Sequence, residues 1–111
     1  MSHIVSSAVA FEFEVNKSFL DYSHLITVPI DSHTEIRRLH LDKPDYRIIY
    51  PGGEVRVATM YAGTTHGNEY YQLRVPTEHQ RRPEYLKEGD HLIVILTRPC
   101  GKNLAILEYV K

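Results

Sequence analysis

The sequence predicts a mainly β protein, a seven-stranded open β-barrel with one or two short helices. Two observations lead there. Apolar and polar residues alternate with a period of two over several short stretches, which is the mark of a half-buried strand. Turn signals at Pro51-Gly52-Gly53, Glu88-Gly89-Asp90 and Pro99-Cys100-Gly101 cut the chain into pieces of strand length. No repeat, low-complexity stretch or linker interrupts the 111 residues, so residues 1–111 read as one domain with room for an ordinary core.

In residues 8–15, Val9, Phe11, Phe13 and Val15 fall on one face, with Glu12 and Glu14 on the other. Residues 16–24 are polar and aromatic and separate this strand from a second at residues 25–30, where Ile26, Val28 and Ile30 alternate. Pro29 has no N–H to donate, so the second strand belongs at a sheet edge or ends there. Ser32-His33-Thr34-Glu35 is a capping box, in which the Ser32 hydroxyl and the Glu35 carboxylate satisfy helix-start N–H groups reciprocally. A short helix to about His40 follows, with Ile36 and Leu39 inward, and Pro44 forbids its continuation. Residues 46–50 and 54–61 form strands around Pro51-Gly52-Gly53, and Val55, Val57, Thr59 and Tyr61 share one face of the latter. After a polar seven-residue loop at 63–69, residues 70–75 alternate Tyr71, Leu73 and Val75 against Tyr70, Gln72 and Arg74. Two prolines leave room for at most a helical turn in 76–85. The apolar run 92–96 reads as a strand buried on both faces, and residues 104–110 close the domain.

Composition narrows the function. With 42% hydrophobic residues the chain is not disordered, and its longest apolar run is far too short to span a bilayer. The N-terminus lacks the basic flank and apolar core of a signal peptide. A single cysteine, Cys100, excludes an intrachain disulfide and a cysteine-based zinc site, and points to the cytoplasm. The seven histidines show no metal-ligand spacing, so no cofactor or metal is expected. No nucleophile elbow or phosphate-cradling glycine loop is present. A carboxylate followed by Glu-x-Lys, as a restriction-nuclease core requires, is approached only by Asp45 and Glu54-Val55-Arg56, which lacks the lysine. The chain is therefore not expected to be an enzyme.

The loop at 63–69 carries Thr64, Thr65, His66, Asn68 and Glu69, which match the donors and acceptors on base edges in the major groove. Residues 16–24 offer a similar set. Two polar arms on one barrel suit duplex DNA, although a net charge of −1 argues against strong non-specific binding. Arg37, Arg38, Arg74, Arg81, Arg82, Lys87, Arg98 and Lys102 are the residues from which a basic patch could be built. The competing class is a protein- or peptide-binding barrel without nucleic-acid binding, favoured by eight tyrosines and the near-zero charge.

Four segments carry a family resemblance: Phe13-x-Val15-Asn16-Lys17-Ser18-x-Leu20-Asp21, Leu25-Ile26-x-Val28-Pro29 with its capped helix, Gly53-x-Val55-x-Val57 through Tyr71-x-Leu73, and Leu86-x-x-Gly89-Asp90-x-Leu92-x-Val94. In this order the chain resembles the B-three DNA-binding pseudobarrel of plant auxin-response-factor-type transcription factors and of the recognition (effector) domains of bacterial restriction endonucleases. It has none of the tryptophans usual in plant members, and Val75-Pro76-Thr77-Glu78-His79 stands where they carry Gly-Trp, so it is more similar to the restriction branch. The resemblance implies a seven-stranded pseudobarrel whose two arms enter the major groove like the jaws of a wrench. It assigns Lys17, Ser18, Asp21, Tyr22, Ser23 and His24 to the first arm and Thr64, Thr65, His66, Asn68 and Glu69 to the second. Arg74, Arg81 and Arg82 would contact phosphates without reading sequence. A nuclease would then reside in another domain or chain.

Overall fold

The computed structural model describes residues 8–23, 25–75 and 83–110. Its strands are β1 (Ala8–Glu14), β2 (Ile26–Thr27), β3 (Asp45–Ile49), β4 (Val55–Thr65), β5 (Asn68–Arg74), β6 (His91–Thr97) and β7 (Asn103–Tyr109), with one α-helix, α1 (His33–Arg38). They form one sheet in the order β1-β6-β7-β3-β4-β5-β2, nearly closed into a barrel with a single seam. The seam lies between the terminal strands β1 and β2, and β2 is an edge strand of two residues, as Pro29 requires. All pairings are antiparallel except β3 with β7. Among the described residues no helix is long and apolar enough to cross a membrane.

The barrel interior is filled by one face of each strand. Val9, Ile48, Ala58, Met60, Tyr71, Leu73, Leu92, Val94, Leu96, Ala105 and Leu107 are all buried in one cluster. Val55, Val57, Thr59 and Tyr61 do share a face of β4, but it is the outer one: Val55 is 53% and Val57 49% exposed, while Ala58 and Met60 point inward. β6 is likewise buried on one face only. Its Ile93 and Ile95 are half-buried on the outside.

Strand directions sort the connections between two ends. β1, β3, β5 and β7 run one way, and β2, β4 and β6 the other. The β1–β2 connection, the β3–β4 hairpin and the start of β6 therefore lie at one end. The β4–β5 tip, α1 and the β6–β7 turn lie at the other.

At the first end, the Gly89-Asp90 corner ties down β1. The Gly89 N–H donates to the Val15 carbonyl and the Val15 N–H to the Asp90 carbonyl, both at 2.8 Å. The Asp90 carboxylate accepts from the Lys87 N–H at 2.9 Å. Tyr85 closes the β3–β4 hairpin by accepting from the Gly52 N–H and donating to Glu54 Oε1, each at 2.7 Å. A side chain at Gly52 would collide with that Tyr85 hydroxyl and with Glu54.

The expected capping box does not form. A 3-10 turn (Ile30–Ser32) runs directly into α1, so Ser32 has near-helical φ and ψ and its hydroxyl makes no cap bond. Glu35 instead pairs with Arg38 on the exposed side of the helix. The inward side carries Ile36 and the buried His33, whose ring packs edge-on against Tyr71 at 4.8 Å.

Three tyrosines make the fold sensitive to alkali. Burial raises the hydroxyl pKa of Tyr46 and Tyr50 well above the usual 10.0. Burial and then the Glu54 bond push that of Tyr85 up to about 12. The folded state thus holds protons that the unfolded chain releases near pH 10, and stability present below about pH 10 falls as pH rises toward 12. In an alkaline titration, tyrosinate absorbance from these residues should appear together with loss of β-sheet signal. Ionisation of all eight tyrosines near pH 10 with the fold intact would contradict this assignment.

Candidate nucleic-acid interface

The stretch expected to be a seven-residue loop is a β-ribbon. β4 runs to Thr65 and β5 starts at Asn68, leaving a two-residue turn at His66-Gly67. Both turn residues have positive φ, 53° and 80°, as a type I′ turn demands, and that turn matches the right-handed twist of its strands. Polar side chains did not prevent strand formation because each finds a partner across the ribbon: Thr65 opposite Asn68, Thr64 opposite Glu69 and Gly63 opposite Tyr70. β3 pairs only with the first part of β4, ending at Thr59, and β2 reaches β5 only at Gln72 and Leu73. The ribbon tip therefore projects past its neighbours, and Thr64, Thr65, His66, Asn68 and Glu69 are all exposed.

The two ribbon faces differ. The outer face continues from Thr65 and Asn68 along Tyr70, Tyr61 and Gln72 to Arg74. There the Arg74 guanidinium lies 4.4 Å from the centre of the Tyr61 ring and donates to Gln72 Oε1 at 3.0 Å. This stacking holds Arg74 flat against the sheet. The inner face presents Glu69 to α1, where it pairs with Arg37 and lies 3.8 Å from His33 Nδ1. The Tyr71 hydroxyl, and after it the Glu69 carboxylate, raise the Arg37 pKa. Glu69 is thus held as a brace between ribbon and helix, and Arg37 is already paired with a carboxylate.

The first arm is partly helical. Asn16 Oδ1 accepts from the Phe19 N–H at 2.9 Å and starts a π-helical turn (Phe19–Ser23). Phe19 is fully buried and meets Phe13 edge-on at 5.2 Å, which fixes the turn to the end of the barrel. Lys17, Ser18 and Asp21 remain exposed, while Tyr22 and Ser23 occupy the last positions of the turn. Glu14, at the end of β1, lies 3.5 Å from His91 Nε2. His24, Arg81 and Arg82 lie outside the described residues.

The two arms thus stand at opposite ends of the barrel and are not brought into one cluster. The cations that do gather come from two stretches far apart in sequence. Lys43, Arg47, Arg98 and Lys102 surround one cavity between β3, β4 and the β6–β7 turn. Among the described residues no three His, Cys, Asp or Glu side chains converge as a metal ion would need. No protein-family model matches the chain, and comparison with curated proteins and with solved structures finds no match.

Proposed function

We propose that the chain is a sequence-specific double-stranded DNA-binding domain, the recognition part of a cytoplasmic restriction-modification protein. The observation that carries this reading is the projecting β4–β5 ribbon with its exposed Thr65, His66 and Asn68. A two-stranded ribbon fits the width of the major groove, and Asn reads adenine bidentately. The seam provides the second support. The first arm leaves β1 at one side of it, and β2 at the other side pairs with the ribbon strand β5, so arms at opposite ends of the barrel can flank a duplex laid across it. The link to restriction-modification rests on the sequence resemblance. Cleavage belongs to a separate nuclease domain or chain, and binding needs no cofactor.

Binding should be seen by fluorescence anisotropy on random-sequence duplex at two salt concentrations, with affinity falling as salt rises. No binding at low salt would overturn the reading. The Glu69–Arg37 pair refines the expectation. Glu69→Gln removes a carboxylate from the ribbon and frees Arg37 for phosphate, so overall affinity should rise. The slope of log K against log salt should steepen by about 0.9 if Arg37 gains one phosphate contact. An unchanged slope would leave Arg37 outside the interface.

A second reading is favoured by the apolar row Val55, Ile49, Ile106 and Ile95 across the outer face of β4, β3, β7 and β6. Such a row suits a protein partner. It lies on the wall away from the seam, so a partner there would leave the arms clear.

A further inference from the structure

The four clustered cations have a physical setting of their own. β3 is the fourth of seven strands in the sheet and therefore stands farthest from the seam. On its outer side, where the β6–β7 turn folds toward it, lies a cavity of about 600 Å³. Arg98 is half-buried and aimed from a built floor. It donates to Asn103 Oδ1 at 2.8 Å, and the Asn103 side chain, 4% exposed, donates in turn to the His40 carbonyl at 3.3 Å. Lys43, Arg47 and Lys102 are exposed around the rim. Among the described residues none of the four pairs with a carboxylate. Four cations face one lining carboxylate, Asp45, so the mouth carries a net charge of +3 in a chain whose total is −1. Asp42 stands nearby, next to the buried Tyr46.

We propose that this mouth binds a phosphate-bearing small molecule of nucleotide size, with Arg98 and Lys102 on the phosphates. An arginine held by a neighbouring amide keeps its remaining N–H donors oriented for a phosphate oxygen. The cavity is larger than one phosphate needs. Val57, 49% exposed on the β4 side, supplies an apolar wall for the organic part of the ligand. The site is separate from the duplex-binding reading, because it faces away from the seam and uses none of the arm residues.

The test is a titration of the isotopically labelled chain with pyrophosphate, ADP and adenosine, followed through backbone amide shifts. Pyrophosphate and ADP should saturably shift Gly101, Lys102 and Thr59, whereas adenosine should not. The double variant Arg47→Glu/Lys102→Glu, at two exposed positions, should bind both phosphates about tenfold or more weakly with an unchanged melting temperature. Lys102→Gln alone provides the same comparison should the double variant fail to fold. Absence of saturable shifts, or equal affinity in a folded variant, overturns the proposal. So does a duplex that shifts these amides while pyrophosphate and ADP do not, since the mouth would then belong to the DNA backbone.

Discussion

Asn68→Ala should lower affinity for the recognised duplex by about 1–3 kcal/mol, roughly five- to 150-fold, while leaving the fold unchanged. Asn68 is exposed, opens β5 directly after the turn, and pairs across the ribbon with the equally exposed Thr65. Its side chain packs against nothing in the core, so a lost contact with a base edge is the route by which truncation acts. A bidentate amide contact to adenine leaves two base groups unpaired when removed, and this gives the effect its size. The check is anisotropy on a selected duplex alongside urea denaturation of the same variant. Affinity should drop with the denaturation midpoint held. His66→Ala at the neighbouring turn position is the companion variant. Full affinity in both would remove the ribbon tip from base reading.

Phe19→Ala should destabilise the protein by about 3–5 kcal/mol. The ring is fully buried and packs edge-on against Phe13, and the Asn16 cap fixes its backbone. Removing it opens a cavity at the end of the barrel beneath the first arm. Lys17, Ser18 and Asp21 are set in place by that turn, so their positions should loosen even where the barrel stays folded. Chemical denaturation measures the first effect, and amide exchange of residues 17–21 the second. A loss under about 1 kcal/mol would mean that the ring is not the anchor of the arm.

Much of the barrel could be read directly from the residues. The alternation in β1 and β5 predicted which side chains point inward, and Pro29 predicted an edge. What escaped were features set by partners distant in sequence. Thr64, Thr65, Asn68 and Glu69 look like loop residues because they are polar. They form strand because β4 and β5 pair across a two-residue His-Gly turn with positive φ at both positions. Phe19 sits in a polar stretch, and only the closure of the barrel buries it. Val55 and Val57 follow a period of two like any core strand, yet periodicity cannot tell which face turns inward. The capping box at Ser32 was overridden by the 3-10 turn before it. The candidate site divides in the same way. The ribbon tip is contiguous in sequence and was legible, whereas Lys43, Arg47, Arg98 and Lys102 meet only through the parallel β3–β7 pairing, which leaves no local signal.

Whether this barrel reads a DNA sequence is decided by repeated selection from a random duplex pool. The affinity of the enriched duplex is then measured against a scrambled version at one physiological salt concentration. A sequence-reading domain should enrich a defined motif and prefer it by about a thousandfold or more. Equal affinity for the enriched and scrambled duplexes, or no enrichment at all, would contradict that reading.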